Sequence, residues 1–330
     1  MSRINPSPQR ARRRALELNP ATVGTILSAL VVCYALLMVT GGAVRLTGSG
    51  LGCSDWPTCS RNSLIASASF HPIVEFGNRC VTIAVSIVSI LAFVATLQRA
   101  PRRRDLVWLG AAVLGGLLAQ VILGGLVVLF KLNPYLVALH FALTLVVLAI
   151  AIVLRHRNAH ADVPGELLIH RELLWLSRLQ LITLSGLVLA GTVVTGAGPH
   201  AGGPGAKRID VSFQHVAELH STIALFLIGM SLATLFAFHV AQAPAEVQRR
   251  ARWFLELLAI QGIIGYSQYF LHDAAGIVEL HIAGVTLLWC VAVAHYLAMH
   301  RRPAEHAARV LARSDAATSR PAPVHAAPSP

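Results

Sequence analysis

The chain has 330 residues, of which 55% are hydrophobic and only 13% charged, with a formal net charge of +12. A soluble domain carries about 25% charged residues, so this composition excludes an ordinary water-soluble globule and points to a bilayer. The basic excess follows the pattern of membrane loops described below and does not call for a nucleic-acid partner.

Eight apolar runs are long enough to cross a hydrocarbon core of roughly 30 Å at about 1.5 Å per residue. In chain order they are predicted at Thr22–Val44, Ile73–Leu97, Leu106–Phe130, Tyr135–Leu154, Leu173–Thr195, Val216–Phe238, Trp253–Phe270 and Ile277–Ala298. Residues 1–20 form a polar, basic tail without the short apolar run and small-residue site of a cleaved signal. Residues 301–330, rich in Ala, Pro, Ser and Arg, are expected to be disordered and cytoplasmic.

Alternate loops differ sharply in charge. One set carries Arg10, Arg12, Arg13 and Arg14, then Arg99, Arg102, Arg103 and Arg104, then Arg155, Arg157 and Arg171, then Arg249, Arg250 and Arg252, then Arg301 and Arg302. The other set has mainly Arg45, Arg61, Lys131, Lys207 and Arg208. The positive-inside rule then predicts a multi-pass protein of the cell membrane with both termini cytoplasmic.

The first span runs into an outer loop, TGGAVRLTGSGLGCSDWPTCS, in which Cys53 and Cys59 have five residues between them. In an oxidising outer compartment this pair can form a disulfide or remain as exchanging thiols; the spacing is not that of a zinc site. Cys33, Cys80 and Cys290 fall inside spans, where a thiol acts as a small apolar group. The second span opens HPIVEFGNRC, with Glu75 and Arg79 four apart on one face and Asn78 beside them. These residues form either an interfacial ion pair or the polar wall of an internal cavity.

Two stretches repeat. QVILGGLVVLFKLNPYLVALH, from Gln120 to His140, and QGIIGYSQYFLHDAAGIVELH, from Gln261 to His281, each open on Gln, carry Gly four residues later and close on His twenty residues after the Gln. TGSG at Thr47–Gly50 and TGAG at Thr195–Gly198 fall at matching ends of the first and fifth spans. The expected fold is therefore an all-α integral membrane protein with eight transmembrane helices in two parallel-repeat four-helix bundles. An N-terminal half covers residues 21–155, a cytoplasmic linker 156–172, and a C-terminal half 173–300.

His220 and His281 begin inward-going helices of the second half at similar depth. A neutral imidazole buried there needs a partner: another side chain, a proton or ion path, or a metal. Two histidines on facing helices can hold a planar metal macrocycle from both sides, with Gly191, Gly262, Gly265, Gly276 and Gly284 clearing room. His215, five residues before His220, faces elsewhere on the helix and is not a co-ligand. His156, His160, His170, His239, His295 and His300 are read as solvated or interfacial side chains at the inner ends.

In order, TGGAVRLTGSGLGCSDWPTC, VEFGNR, VALH, VTGAGPHAG, ELHSTIA and VELHIAGVTLLW together resemble the heme A synthase family over about residues 20 to 300. The resemblance implies oxidation of the C8 methyl of heme O to a formyl group, giving heme A for aa3-type terminal oxidases. It implies a heme b cofactor on His220 and His281, with the substrate heme in the first half on His140. It also implies a catalytic Glu75, with Asn78 and Arg79 at the substrate site, and a Cys53–Cys59 pair. Where many members have a histidine three residues after the Glu, this chain has Asn78, and a carboxamide is a poor iron ligand. The implied partners are the heme O substrate, heme O synthase (a protoheme farnesyltransferase), an external electron acceptor and the lipid bilayer, with no nucleic acid. Two other classes remain: a bis-histidine cytochrome b carrying electrons between quinone and a partner, and a transporter or heme-delivery protein.

Overall fold

The structure, a computed structural model, describes residues 17–60, 63–162, 165–200, 202–203 and 206–301. The expectations for residues 1–16 and for the tail from 302 onward lie outside these residues, as does Arg61. Among the described residues the chain forms eight long helices and one two-residue strand pair. The helices are α1 (Pro20–Leu46), α2 (Phe70–Gln98), α3 (Arg104–Leu129), α4 (Pro134–Ala159), α5 (Arg171–Ala197), α6 (Phe213–Val240), α7 (Ala245–Phe270) and α8 (Ala275–Ala298).

Local chemistry sets the helix starts. Asn19 accepts from the Thr22 amide at 2.8 Å and Asn133 from the Tyr135 amide at 3.0 Å, each followed by a proline at the first helical position. Seven helices are long and apolar enough to cross a membrane; α7 is not. The seventh predicted span is therefore a helix of mixed character, less apolar than the other seven. It begins at Ala245, well before the predicted Trp253, because Glu246 pairs with Arg249 and, at 2.6 Å, with Arg250, so charged first turns are held as helix. Gln261, Ser267 and Gln268 then lower the hydropathy of its second part.

Each helix packs on the next within α1–α4 and within α5–α8, and α1 also packs on α4. Contacts of α8 with α1 and α4, and of α4 with α5, join the two sets. One hydrophobic cluster draws on all eight helices, including Leu27, Val85, Leu106, Leu148, Leu184, Leu227, Phe254 and Leu288. The opposite faces stay apolar as well: Ile122, Ile182 and Phe236 are exposed, as a helix needs when its surroundings are lipid.

The α3–α4 and α7–α8 turns have the same backbone. Lys131 and Leu132 adopt φ of 50° and 58°, His272 and Asp273 φ of 55° and 56°. This left-handed region costs a non-glycine residue energy, yet both turns use it twice. The bonds match in pairs: Lys131 N–H to Val128 O and His272 N–H to Tyr269 O, then Leu132 N–H to Val127 O and Asp273 N–H to Gln268 O.

The loops at the cysteine-bearing end interlock. Arg45 Nε donates to His200 O at 2.8 Å, the Gly50 amide to Gly202 O at 2.9 Å, and His200 Nε2 meets Asp273 O at 2.7 Å. At the far end, the segment expected as a plain linker holds strand β1 (Glu166–Leu167), paired antiparallel with β2 (His300–Arg301). Two arginines counted as loop charges are buried there. Arg99 Nε donates to Asn158 Oδ1 at 2.8 Å, and Arg103 donates to the carbonyls of Arg157 and His160 while pairing with Asp105 at 2.7 Å.

Asn158 also donates from Nδ2 to Pro20 O at 2.9 Å, so it ties α4 to the start of α1 and to Arg99. Asn158→Ala removes partners from a buried guanidinium and a backbone carbonyl, at a cost of about 1–3 kcal/mol. The expected result is a lower thermal midpoint in detergent, measured by loss of helical circular dichroism; an unchanged midpoint rejects it.

Candidate functional site

The helices bring His220 of α6 and His281 of α8 face to face, with ring centroids 6.5 Å apart and ring planes at 67°. Both rings are half-buried, and the Nδ1 atom of each is buried without a hydrogen-bond partner. Glycines on the neighbouring helices make this possible. A side-chain carbon placed at Gly191 of α5 would lie 3.1 Å from His220 Cε1, and one at Gly265 of α7 would lie 3.4 Å from His281 Cε1.

A metal midway between the rings would lie half of 6.5 Å from each centroid, which matches an imidazole–metal bond of roughly 2.0–2.1 Å plus the radius of the ring. Among the described residues no group of three or more His, Cys, Asp or Glu could hold a bare ion. An arrangement of two facing imidazoles therefore suits a metal whose other four ligands come with a macrocycle. Of the other clearing glycines, Gly276 faces open space and Gly262 meets Ile228 at 3.9 Å, but the space at Gly284 is already filled by the Gln261 side chain.

The first set of helices repeats half of this arrangement. A carbon at Gly124 of α3 would lie 3.4 Å from His140 Cε1, and His140 Nδ1 is buried without a partner. Gln120 fixes that helix pair by donating to His140 O at 3.0 Å and to Thr144 Oγ1 at 2.7 Å. Asn78 brings no second imidazole; its Oδ1 accepts from Thr40 of α1 at 2.8 Å.

Glu75 is both paired and buried. It is 5% exposed, its Oε1 lies 2.6 Å from Arg79 Nη2, and its Oε2 accepts from the Cys53 amide at 2.8 Å. Arg79 donates further to the carbonyls of Asp55, Pro57 and Thr58. The two side chains thus clamp the loop closed by the Cys53–Cys59 disulfide, which is formed. His215 is exposed in the first turn of α6, away from the facing pair.

Two residues escaped the reading of the sequence. Glu279 of α8 has both carboxylate oxygens buried without a partner, and a carbon at Gly42 of α1 would lie 2.9 Å from its Oε2. The signal was present: VELH carries a carboxylate where the copy VALH has Ala138. The expectation that His295 is solvated or interfacial is corrected. It is 4% exposed, lies against the rings of Phe238 and Phe254, and has no hydrogen bond at either ring nitrogen. It sits on the inward side of α8, which its position near the helix end concealed. His170 and His239 are exposed as expected, while His156, His160 and His300 are half-buried.

A family model described as cytochrome oxidase assembly protein, COX15-CtaA, matches residues 24–70. Among curated proteins the chain is 34% identical over 121 residues to a heme A synthase of Lysinibacillus sphaericus, covering 36% of this chain and 39% of the relative. It is 29% identical over 177 residues to one of Staphylococcus epidermidis, covering 51% and 57%, and 36% identical over 114 residues to one of Geobacillus kaustophilus, covering 33% and 35%. The matched stretches thus span about half or less of these relatives.

The clamp on the disulfide loop is open to a direct check. Glu75→Gln keeps the shape but removes the charge facing Arg79, and a hydrogen bond to a charged group contributes about 1.5–3 kcal/mol. Reduction of Cys53–Cys59 by a water-soluble phosphine, followed by thiol labelling, is expected to run roughly tenfold faster, since each 1.4 kcal/mol is tenfold in a local opening equilibrium. An unchanged rate would mean the carboxylate does not hold the loop.

Proposed function

We propose that this chain, a member of the heme A synthase family, is a membrane oxidoreductase that converts the C8 methyl of heme O to the formyl group of heme A. The observation that carries the reading is the facing pair His220–His281, 6.5 Å between centroids and cradled by Gly191 and Gly265. His220 and His281 would hold a heme b. When bound, that group supplies a one-electron store between the substrate and an external acceptor.

The reaction is R–CH3 + H2O → R–CHO + 4 H⁺ + 4 e⁻, reached by two hydroxylations and loss of water. Water provides the oxygen, and the electrons leave for the external acceptor. His140 would be the chain's ligand for the substrate iron, and because Asn78 supplies no second imidazole, binding through one protein ligand would suit a substrate that must arrive and depart. Glu75 would be the catalytic carboxylate: Arg79 and the Cys53 amide fix its orientation, and its negative charge would stabilise positive charge developing on the substrate carbon.

The architecture that goes with this function is two parallel four-helix repeats. The support is the matched α3–α4 and α7–α8 turns and the paired contacts Gly124–His140 and Gly265–His281. In this arrangement α7 crosses with Gln261 turned to α8. The loop charges orient both termini to the cytoplasm of a cell membrane, and heme O synthase is the natural supplier of substrate.

Cells that make heme O and express the chain are expected to accumulate heme A, read by pigment extraction. Heme O alone, with well-folded protein, overturns the enzyme and leaves a bis-histidine electron carrier. His220→Ala and His281→Ala are each expected to abolish a low-spin bis-imidazole spectrum while the protein still inserts; retention of the spectrum in both rejects the ligand pair. Gly191→Ala, whose new carbon would press the His220 ring at 3.1 Å, should perturb that spectrum more than Gly265→Ala, which meets His281 at an ordinary 3.4 Å.

A further inference from the structure

The cysteine loop does more than close on itself. Arg79 of α2 grips the carbonyls on both sides of Trp56, at Asp55, Pro57 and Thr58, at 2.9 to 3.3 Å. The indole itself rests on α3: a carbon placed at Gly125 would lie 3.0 to 3.1 Å from three of its ring carbons. The loop therefore straps α2 to α3, with Trp56 seated against α3 and its neighbouring backbone held by α2. Gly125 adjoins Gly124, the residue whose bare face receives His140.

The matching seam of the second set of helices carries a groove. There Gly265 receives His281 as Gly124 receives His140, so Tyr266 takes the place of Gly125 and α6 the place of α2. Between α6 and α7 lies an open apolar groove of about 610 Å³, lined by Ile228, Gly262, Tyr266 and Phe270 among others. The seam between α6 and α7 carries an open apolar groove, whereas at the corresponding place on α3 the Trp56 indole lies against Gly125.

We propose that Trp56 is a substrate-positioning residue that closes the side opening of the first-half site and swings aside to admit a tailed porphyrin from the lipid. This rests on the reading of heme O as substrate. A macrocycle carrying a farnesyl-derived tail partitions into the bilayer, so it reaches a site between helices from the side. The strap suits such a gate. Its two ends are anchored by the disulfide and by the Glu75–Arg79 clamp, while the indole is held on α3 by packing alone and is 39% exposed.

The test uses the full chain in phosphatidylcholine nanodiscs with the bis-histidine site already loaded. Stopped-flow absorbance follows the binding of heme O, and separately of tail-free hemin, with His140→Ala identifying the signal of the first-half site. Trp56→Ala is expected to accelerate heme O association and dissociation on the order of threefold to tenfold, the range for losing one aromatic contact. Gly125→Ala, whose added carbon displaces the indole, should do the same, and Trp56→Phe should restore rates near wild type. Gly115→Ala, which meets nothing within 4 Å on the same helix, is the control.

Hemin is expected to respond less than heme O. Unchanged rates in Trp56→Ala and Gly125→Ala with an intact bis-histidine spectrum overturn the gate, as does equal acceleration of both porphyrins. Where Trp56→Ala lacks that spectrum, Gly125→Ala decides. Wild-type protein that makes heme A while the Trp56 variants bind normally sinks the gate alone; wild type that makes none sinks the functional reading instead.

Discussion

An imidazole ring can approach a neighbouring helix closely only where that helix has no Cβ. Gly124, Gly191 and Gly265 each provide such a place, and each receives one of the three histidines of the site. The contact does two things. It fixes the direction of a ring that has no hydrogen bond at Nδ1, and it draws the helices together so that the ring points inward and not along the bundle surface. A methyl group at Gly191 would force the His220 ring to move or the helices to part, because core packing gives way by only tenths of an ångström. The facing pair, the lone His140 and the spacing of α3 from α4 all follow from this exclusion.

Much of the helix order was legible because the signal is cumulative. A run such as Tyr135–Leu154 contains so many apolar residues that small errors do not matter, and the observed α4 extends past it only into the basic turn ending at Ala159. The start of α7 was illegible for the opposite reason. Glu246, Arg249 and Arg250 read as loop charges, whereas the structure pairs them along the first turns of a helix. Arg99 and Arg103 misled in another way: an arginine at a loop position counts as solvated charge, and nothing local announces that Asn158 or the carbonyl of His160 waits across the fold.

The site was legible where it was duplicated. Comparing Gln120–His140 with Gln261–His281 singled out two of the three histidines before any geometry was known. The duplication hid things too. KLNP and HDAA share no residue, yet both turns place two consecutive residues in the left-handed region, so similarity of shape outlasted similarity of sequence. Glu279 was masked by the interest of its neighbour His281, although it is the chemical difference between VELH and VALH. The partners of Glu75 were half legible: the i,i+4 pairing with Arg79 follows from helix geometry, whereas the Cys53 amide does not.

The bond from Gly50 to Gly202, and that from Arg45 to His200, join parts of the chain far apart in sequence. Contacts of such separation form late, since the intervening chain must first exist and be positioned. During synthesis the segment that carries Cys53 and Cys59 therefore waits, with α1 and α2 already made, until α5 and the loop after it arrive to cover its glycines. That interval leaves the loop with Cys53 and Cys59 without its cover from the second half of the chain. The order of biogenesis is thus written into the tertiary contacts: the short covalent ring can close first, and the second half of the chain then settles over it.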